Sequence, residues 1–154
     1  MEAGSEARNT RIADGGIAWR RLPLAALVAA AAASIANVLV LFAASGAGFI
    51  TRDVLVPTAG GESPITTGMV VASSVAGAVA ATAVFAGIGL FARRPMRIFR
   101  IVSVAALALS FAMPLTLAAP VPMILSLEAM HIVAWAAVVG ILTTLPRRKE
   151  GGTR

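Results

Sequence analysis

Four long apolar stretches alternate with short polar connections along this chain, and that pattern predicts four membrane-spanning helices. The first runs from Leu22 to Ala44 without a charge; the others cover about Met69 to Ala92, Ile98 to Ala118 and Pro122 to Leu145. Each supplies the roughly 20 residues needed to cross a hydrocarbon core about 30 Å thick. Arg93-Arg94-Pro95-Met96-Arg97 and Ala119-Pro120-Val121-Pro122 are tight turns, so the spans they join are expected to be antiparallel neighbours. The long connection, residues 45–68, is punctuated by Gly46, Gly48, Pro57, Gly60, Gly61 and Pro64, with Phe49-Ile50 and Val54-Leu55-Val56 as apolar handles. A loop of that length is either functional or a cap lying at the end of the bundle, and the cap is the expectation here. Ser63-Pro64 has the form of an N-cap followed by proline, which would start the second helix as early as Pro64. The expected fold is all-α: an integral membrane, antiparallel four-helix bundle over 22–146. A disordered polar tail (1–21) would precede it and a basic tail (147–154) would follow.

Charge adds a direction to this picture. Basic residues fall in blocks of four (Arg8, Arg11, Arg20, Arg21), one (Arg52), four (Arg93, Arg94, Arg97, Arg100), none, and four (Arg147, Arg148, Lys149, Arg154). Lys and Arg are retained on the cytoplasmic side of a bilayer, so both termini are expected inside. Trp19 stands where an interfacial aromatic belongs. Arg20-Arg21 precede a run longer than the 7–15 apolar residues of a secretory signal, which favours a retained anchor. The net charge of +6 flanks spans, so its partner is anionic lipid and not nucleic acid. With 58% hydrophobic residues and a mean hydropathy of +0.88, the chain has no room for a soluble catalytic domain. It contains no cysteine, which removes disulfides and thiolate metal sites. Abundant arginine and alanine suggest a GC-rich bacterial genome, and with it a location in the inner (plasma) membrane.

Small residues mark where helices can approach. Ser73, Gly77 and Ala81 recur at four-residue steps on the second span, as do Ser74, Ala78, Thr82 and Ala86, and Ala25–Ala33 is nearly free of side chains. Such faces let backbones pack closely in lipid, either within the bundle or against a second copy.

Polar residues inside the spans are the candidate chemistry. Glu128 is the carboxylate of the fourth span and His131 the only histidine; their spacing places both on one face, with Ile124, Trp135 and Leu142. Ser34 and Asn37 align on the first span, and Ser103, Ser110 and Pro114 on the third. A rise of ~1.5 Å per residue puts Glu128, His131, Asn37, Ser34 and Ser110 together in the outer half of the bundle. Pro114 lacks an N–H and is expected to kink the third span, freeing the Ser110 carbonyl for a donor from His131 or Asn37. A charged Glu128 costs about 2.5–3.5 kcal/mol at such depth, which protonation or pairing with His131 would avoid. The cluster therefore reads as a neutral hydrogen-bonded knot fixing helix register, as a proton- or substrate-linked site, or as a ligand to a cofactor. Glu-x-x-His is half of a di-iron signature whose other carboxylates this chain lacks in its spans. His131 with Met113 could hold a haem, but span methionines are ordinarily packing residues. No catalytic constellation, metal site or cofactor is expected.

Val54-Leu55-Val56-Pro57, Pro64-Ile65-Thr66, Ser110-Phe111-Ala112-Met113-Pro114-Leu115 and Leu127-Glu128-Ala129-Met130-His131 resemble a family of uncharacterised four-span bacterial membrane proteins, a domain of unknown function. The likeness covers about residues 20–146, and Ser110…Pro114 and Met130-His131 fit features that recur there. The resemblance implies a fold and a location and no activity. Small multidrug exporters share the span number, but their glutamate lies in the first span, where this chain has Asn37. The leading expectation is a non-enzymatic structural or accessory membrane protein, with the lipid bilayer and a membrane-protein partner or second copy as its contacts. The alternatives are a proton-coupled transporter or channel-like oligomer using Glu128 and His131, and a haem- or quinone-binding redox subunit.

Overall fold

The computed structural model describes residues 17–146 apart from positions 52, 59 and 118. The expected tails at 1–16 and 147–154 lie outside the described residues. Four helical segments, Trp19–Gly46, Thr67–Phe91, Pro95–Leu115 and Val121–Thr144, are long and apolar enough to cross a membrane. The helices themselves are α1 (Leu22–Gly46), α2 (Thr67–Phe91), α3 (Pro95–Ser110), a short α4 (Ala112–Leu115) and α5 (Val121–Thr144). Prolines occupy the first turns of α1, α3 and α5, where a missing N–H disrupts no helical bond.

The α2 start differs from expectation. Pro64 ends a strand, and the helix is capped by Thr66, whose hydroxyl accepts from the Met69 N–H at 3.2 Å. The long connection is also more ordered than its glycines suggested. It folds into an antiparallel hairpin of β1 (Leu55–Thr58) and β2 (Gly61–Pro64), pairing Leu55 with Pro64 and Thr58 with Gly61. Gly61, at φ 111°, supplies the backbone conformation that the turn requires. Val56 and Ile50 bury themselves in the bundle, so the hairpin caps it.

Two apolar clusters fill the interior. At the hairpin end, Leu41, Ala44, Ile50, Val56, Val70, Met123 and Met130 meet. At the other end Ala25, Ala29, Ala33, Ala78, Phe85, Phe99, Val138, Val139 and Leu142 pack with Ile17 and Leu22. Helix α1 packs most extensively against α5 and α2; its Ala25, Ala29 and Ala33 are wholly buried. Their methyl side chains let those partners approach closely.

Residues 17–21, expected as part of a free tail, are folded in. The Ala18 N–H donates to the Pro146 carbonyl at 2.7 Å, and Trp19–Arg21 form a 3-10 turn leading into α1. Ile17 and Trp19 lie so close over Gly89 of α2 that a Cβ there would come within 2.5 Å of the Ile17 side chain.

Helix α3 is the loosely held member. Only Pro95, Phe99 and Ser103 of its sixteen residues are buried. The Phe99 ring meets Phe85 edge-on, with centroids 4.8 Å apart. The expected interruption near Pro114 is present: α3 ends at Ser110, Phe111 turns, and α4 carries the buried Pro114.

Candidate functional site

Because α3 buries only Pro95, Phe99 and Ser103, a cavity of about 670 Å³ opens among α2, α3 and α5. Asn37 of α1 contributes to its wall, and Val56 and Pro57 of β1 and Ile65 line it at the hairpin end. The rest of the lining is largely alanine, valine, leucine and methionine, joined by Ser73, Ser74, Ser103, Ser110, His131 and Trp135. No lining residue carries a formal charge at neutral His131.

Burial locates the mouth. Among the helical lining residues, the exposed ones are Ser73, Gly77, Ala80 and Val84 on α2, Val102 and Ala106 on α3, and Met113 on α4; none belongs to α5. The cavity therefore opens between α2 and α3. Gly77 lies about 15 Å from the hairpin end of α2, and Ala106 about 16 Å from the start of α3, both near mid-span. The Ser73, Gly77, Ala81 face thus borders this cleft, and a Cβ added at Gly77 would meet nothing within 4 Å. The companion face does the packing: Ser74 and Ala78 are buried.

The polar residues do not form the expected knot. Asn37 donates through Nδ2 to the Ser74 hydroxyl at 3.0 Å. Ser74 in turn donates to the Val70 carbonyl at 2.7 Å, which fixes its oxygen as the acceptor and the Asn37 amide as the donor. Asn37 is left with Oδ1 buried and unpartnered, as is the Ser34 hydroxyl. The His131 Nδ1 lies 2.8 Å from the Leu127 carbonyl of its own helix. A carbonyl only accepts, so Nδ1 is the protonated partner in that contact.

Neither donor reaches the Ser110 carbonyl, contrary to expectation; the Ser110 hydroxyl itself turns back to the Leu107 carbonyl at 2.7 Å. Glu128 is not paired with His131 either. Both of its oxygens are buried without a partner, and it does not line the cavity. The structure thus brings Asn37, Ser110 and His131 to one cavity and leaves Glu128 and Ser34 outside its lining.

Two contributors were missed at the level of sequence. Ser74 appeared only as a small residue, and Trp135 only as a seam position, yet both line the cavity. The Trp135 Nε1 is a further buried, unpartnered polar atom. Its i+4 spacing from His131 was the available signal.

No curated protein and no solved structure matches the chain. A family profile does, over residues 17–148, with the described helices falling inside that range. A four-helix apolar chain whose match takes in all of its spans belongs, then, to the Family of unknown function (DUF6069).

Proposed function

We propose that this protein is a non-enzymatic accessory subunit of the bacterial plasma membrane, with both termini cytoplasmic, that takes an apolar occupant from the bilayer into its α2/α3 cleft. The observation that carries this reading is the cleft itself. A cavity of about 670 Å³, lined by small and apolar side chains, opens sideways at mid-span, where only lipid tails or other membrane-embedded molecules can enter. The orientation draws on charge. Arg20, Arg21, Arg93, Arg94 and Arg97 gather at the end away from the hairpin, whereas Asp53 and Glu62 lie at the hairpin.

Purification of the tagged full chain from native membranes tests the reading. A lipid or protein should co-purify with the natural sequence and be lost from Gly77→Leu, whose side chain would fill the mouth. Identical co-purification from both proteins would defeat it. Reporter fusions at both termini should remain cytoplasmic.

A proton-coupled transporter is the second reading, favoured by the buried, unpartnered Glu128 carboxyl. It would require Glu128→Gln to abolish a proton-linked flux in vesicles, whereas an accessory protein would tolerate that change.

A further inference from the structure

Two groups of arginines that lie far apart in the chain meet at the end of the bundle opposite the hairpin. Arg20 and Arg21 belong to the 3-10 turn that leads into α1, and Arg93, Arg94 and Arg97 cover the connection from α2 into α3. The turn is held against α2: the Trp19 ring stands 3.3 Å from where a Cβ on Gly89 would lie, and the Ile17 side chain is closer still. Arg20 is the next residue after Trp19, and Arg93 follows Gly89 by four residues. That contact brings both groups to one corner of the bundle. All five arginines are exposed.

No acid balances this corner among the described residues. Their carboxylates are Asp53 and Glu62 at the hairpin and Glu128 in the hairpin half of α5, and none of the five guanidinium groups is paired among those residues. Arg21 and Arg94 are also the residues that open α1 and α3, and neither helix has an acid in its first turn. The positive ends of two helix dipoles therefore add to the field of the arginines. Retention of arginine on the cytoplasmic side accounts for charge at this end, but not for a packed contact that sets two groups side by side.

The missing counter-charge has a definite chemistry. Guanidinium forks match phosphate oxygens bidentately, so phosphate is the anion that arginine pairs hold best. The corner lies where α1 and α3 enter the apolar layer, and Trp19, 44% exposed, is an amphipathic ring suited to headgroup level. Basic surfaces in that position take lipid head groups. Two arginine groups fit two phosphates, and a second phosphate on the same molecule meets its partners at a high effective concentration once the first is bound. We infer that this corner binds an anionic lipid whose head group carries two phosphates, one held by Arg20 and Arg21 and the other by Arg93, Arg94 and Arg97. The site is separate from the α2/α3 cleft and does not depend on what the cleft takes up.

Native mass spectrometry of the full chain in a neutral detergent reads the lipid it retains. Tetraoleoyl cardiolipin should reach half-occupancy at about one-tenth of the phosphate that dioleoyl phosphatidylglycerol needs, and dioleoyl phosphatidylcholine should not saturate. Equal phosphate requirements for the two anionic lipids would reduce the corner to ordinary charge attraction and overturn the inference. Arg20→Gln with Arg21→Gln, and separately Arg93→Gln with Arg94→Gln, should each erase the preference for cardiolipin. Gly89→Leu keeps every charge but displaces Ile17 and Trp19 from α2, and should erase it too. Trp19→Ala loosens the same contact without added bulk, and carries the test if Gly89→Leu fails to fold. A preference that survives the loss of either arginine pair, or that survives Trp19→Ala together with any folded Gly89→Leu, would overturn the convergent site. Inorganic pyrophosphate at equal phosphate should leave cardiolipin bound; its displacement would overturn the assignment to a lipid.

Discussion

The two sides of this bundle are packed by different rules. On the α1 side, Ala25, Ala29 and Ala33 are completely buried and α5 and α2 press against them. On the α3 side, thirteen of sixteen residues are not buried, and contact is concentrated at Phe99 and Ser103, with Pro114 of α4 beyond. Within lipid there is no hydrophobic force to pull α3 inward, because tails and leucines are equally apolar. What holds helices together there is shape. The alanines of α1 offer a flat surface to two neighbours, whereas α2 turns Ser73, Gly77 and Ala81 toward α3 and leaves space between. One half is a scaffold and the other a receptacle.

The contrast can be broken in order of expected effect. Phe99→Ala removes the aromatic contact with Phe85 at the near end of α3 and should cost about 3 kcal/mol in detergent unfolding, the low end for a buried phenylalanine. An unchanged unfolding curve would mean that α3 is held elsewhere. Ala29→Leu overpacks the tight side and should cost about 2 kcal/mol, whereas Ala106→Leu at the cleft should stay within about 0.5 kcal/mol. Equal effects at the two alanines would erase the distinction between the sides. Breaking the Asn37–Ser74 bond by Ser74→Ala should cost only about 0.6 kcal/mol, the average for interhelical hydrogen bonds in a bilayer. In a double-mutant cycle with Asn37→Leu, the coupling would approach that value. Gly77→Leu should be neutral or stabilising by up to about 0.8 kcal/mol, because it gains helix propensity where a Cβ meets nothing. Destabilisation there would show that α2 and α3 close upon each other.

Much of this architecture was legible from the residues. The four spans needed only hydropathy and length, and their ends needed only prolines and arginines; a missing N–H at Pro114 was enough to place the break after Ser110. The hairpin was harder. Val54-Leu55-Val56 is too short an apolar run to signal a strand, and only the Gly60-Gly61 step hinted at its turn. The site was legible by depth and not by partner. Rise per residue brings Asn37, His131 and Ser110 to similar levels, but it says nothing about the rotation of one helix against another. That rotation sends the Asn37 amide to Ser74 and leaves Glu128 outside the cavity lining. Self-satisfaction of serines by their own helices also escapes a sequence pattern, because each hydroxyl has an i−3 or i−4 carbonyl in reach wherever it falls.

The Ala18 bond to Pro146 joins the residues just before α1 to those just after α5. Until ribosomal synthesis has delivered the final span, that clasp has nothing to fasten to, and Ile17 and Trp19 have no fixed post from which to lean over Gly89. The bundle is therefore locked only once α5 has been delivered, so truncation anywhere in α5 would leave Ile17 and Trp19 unanchored as well.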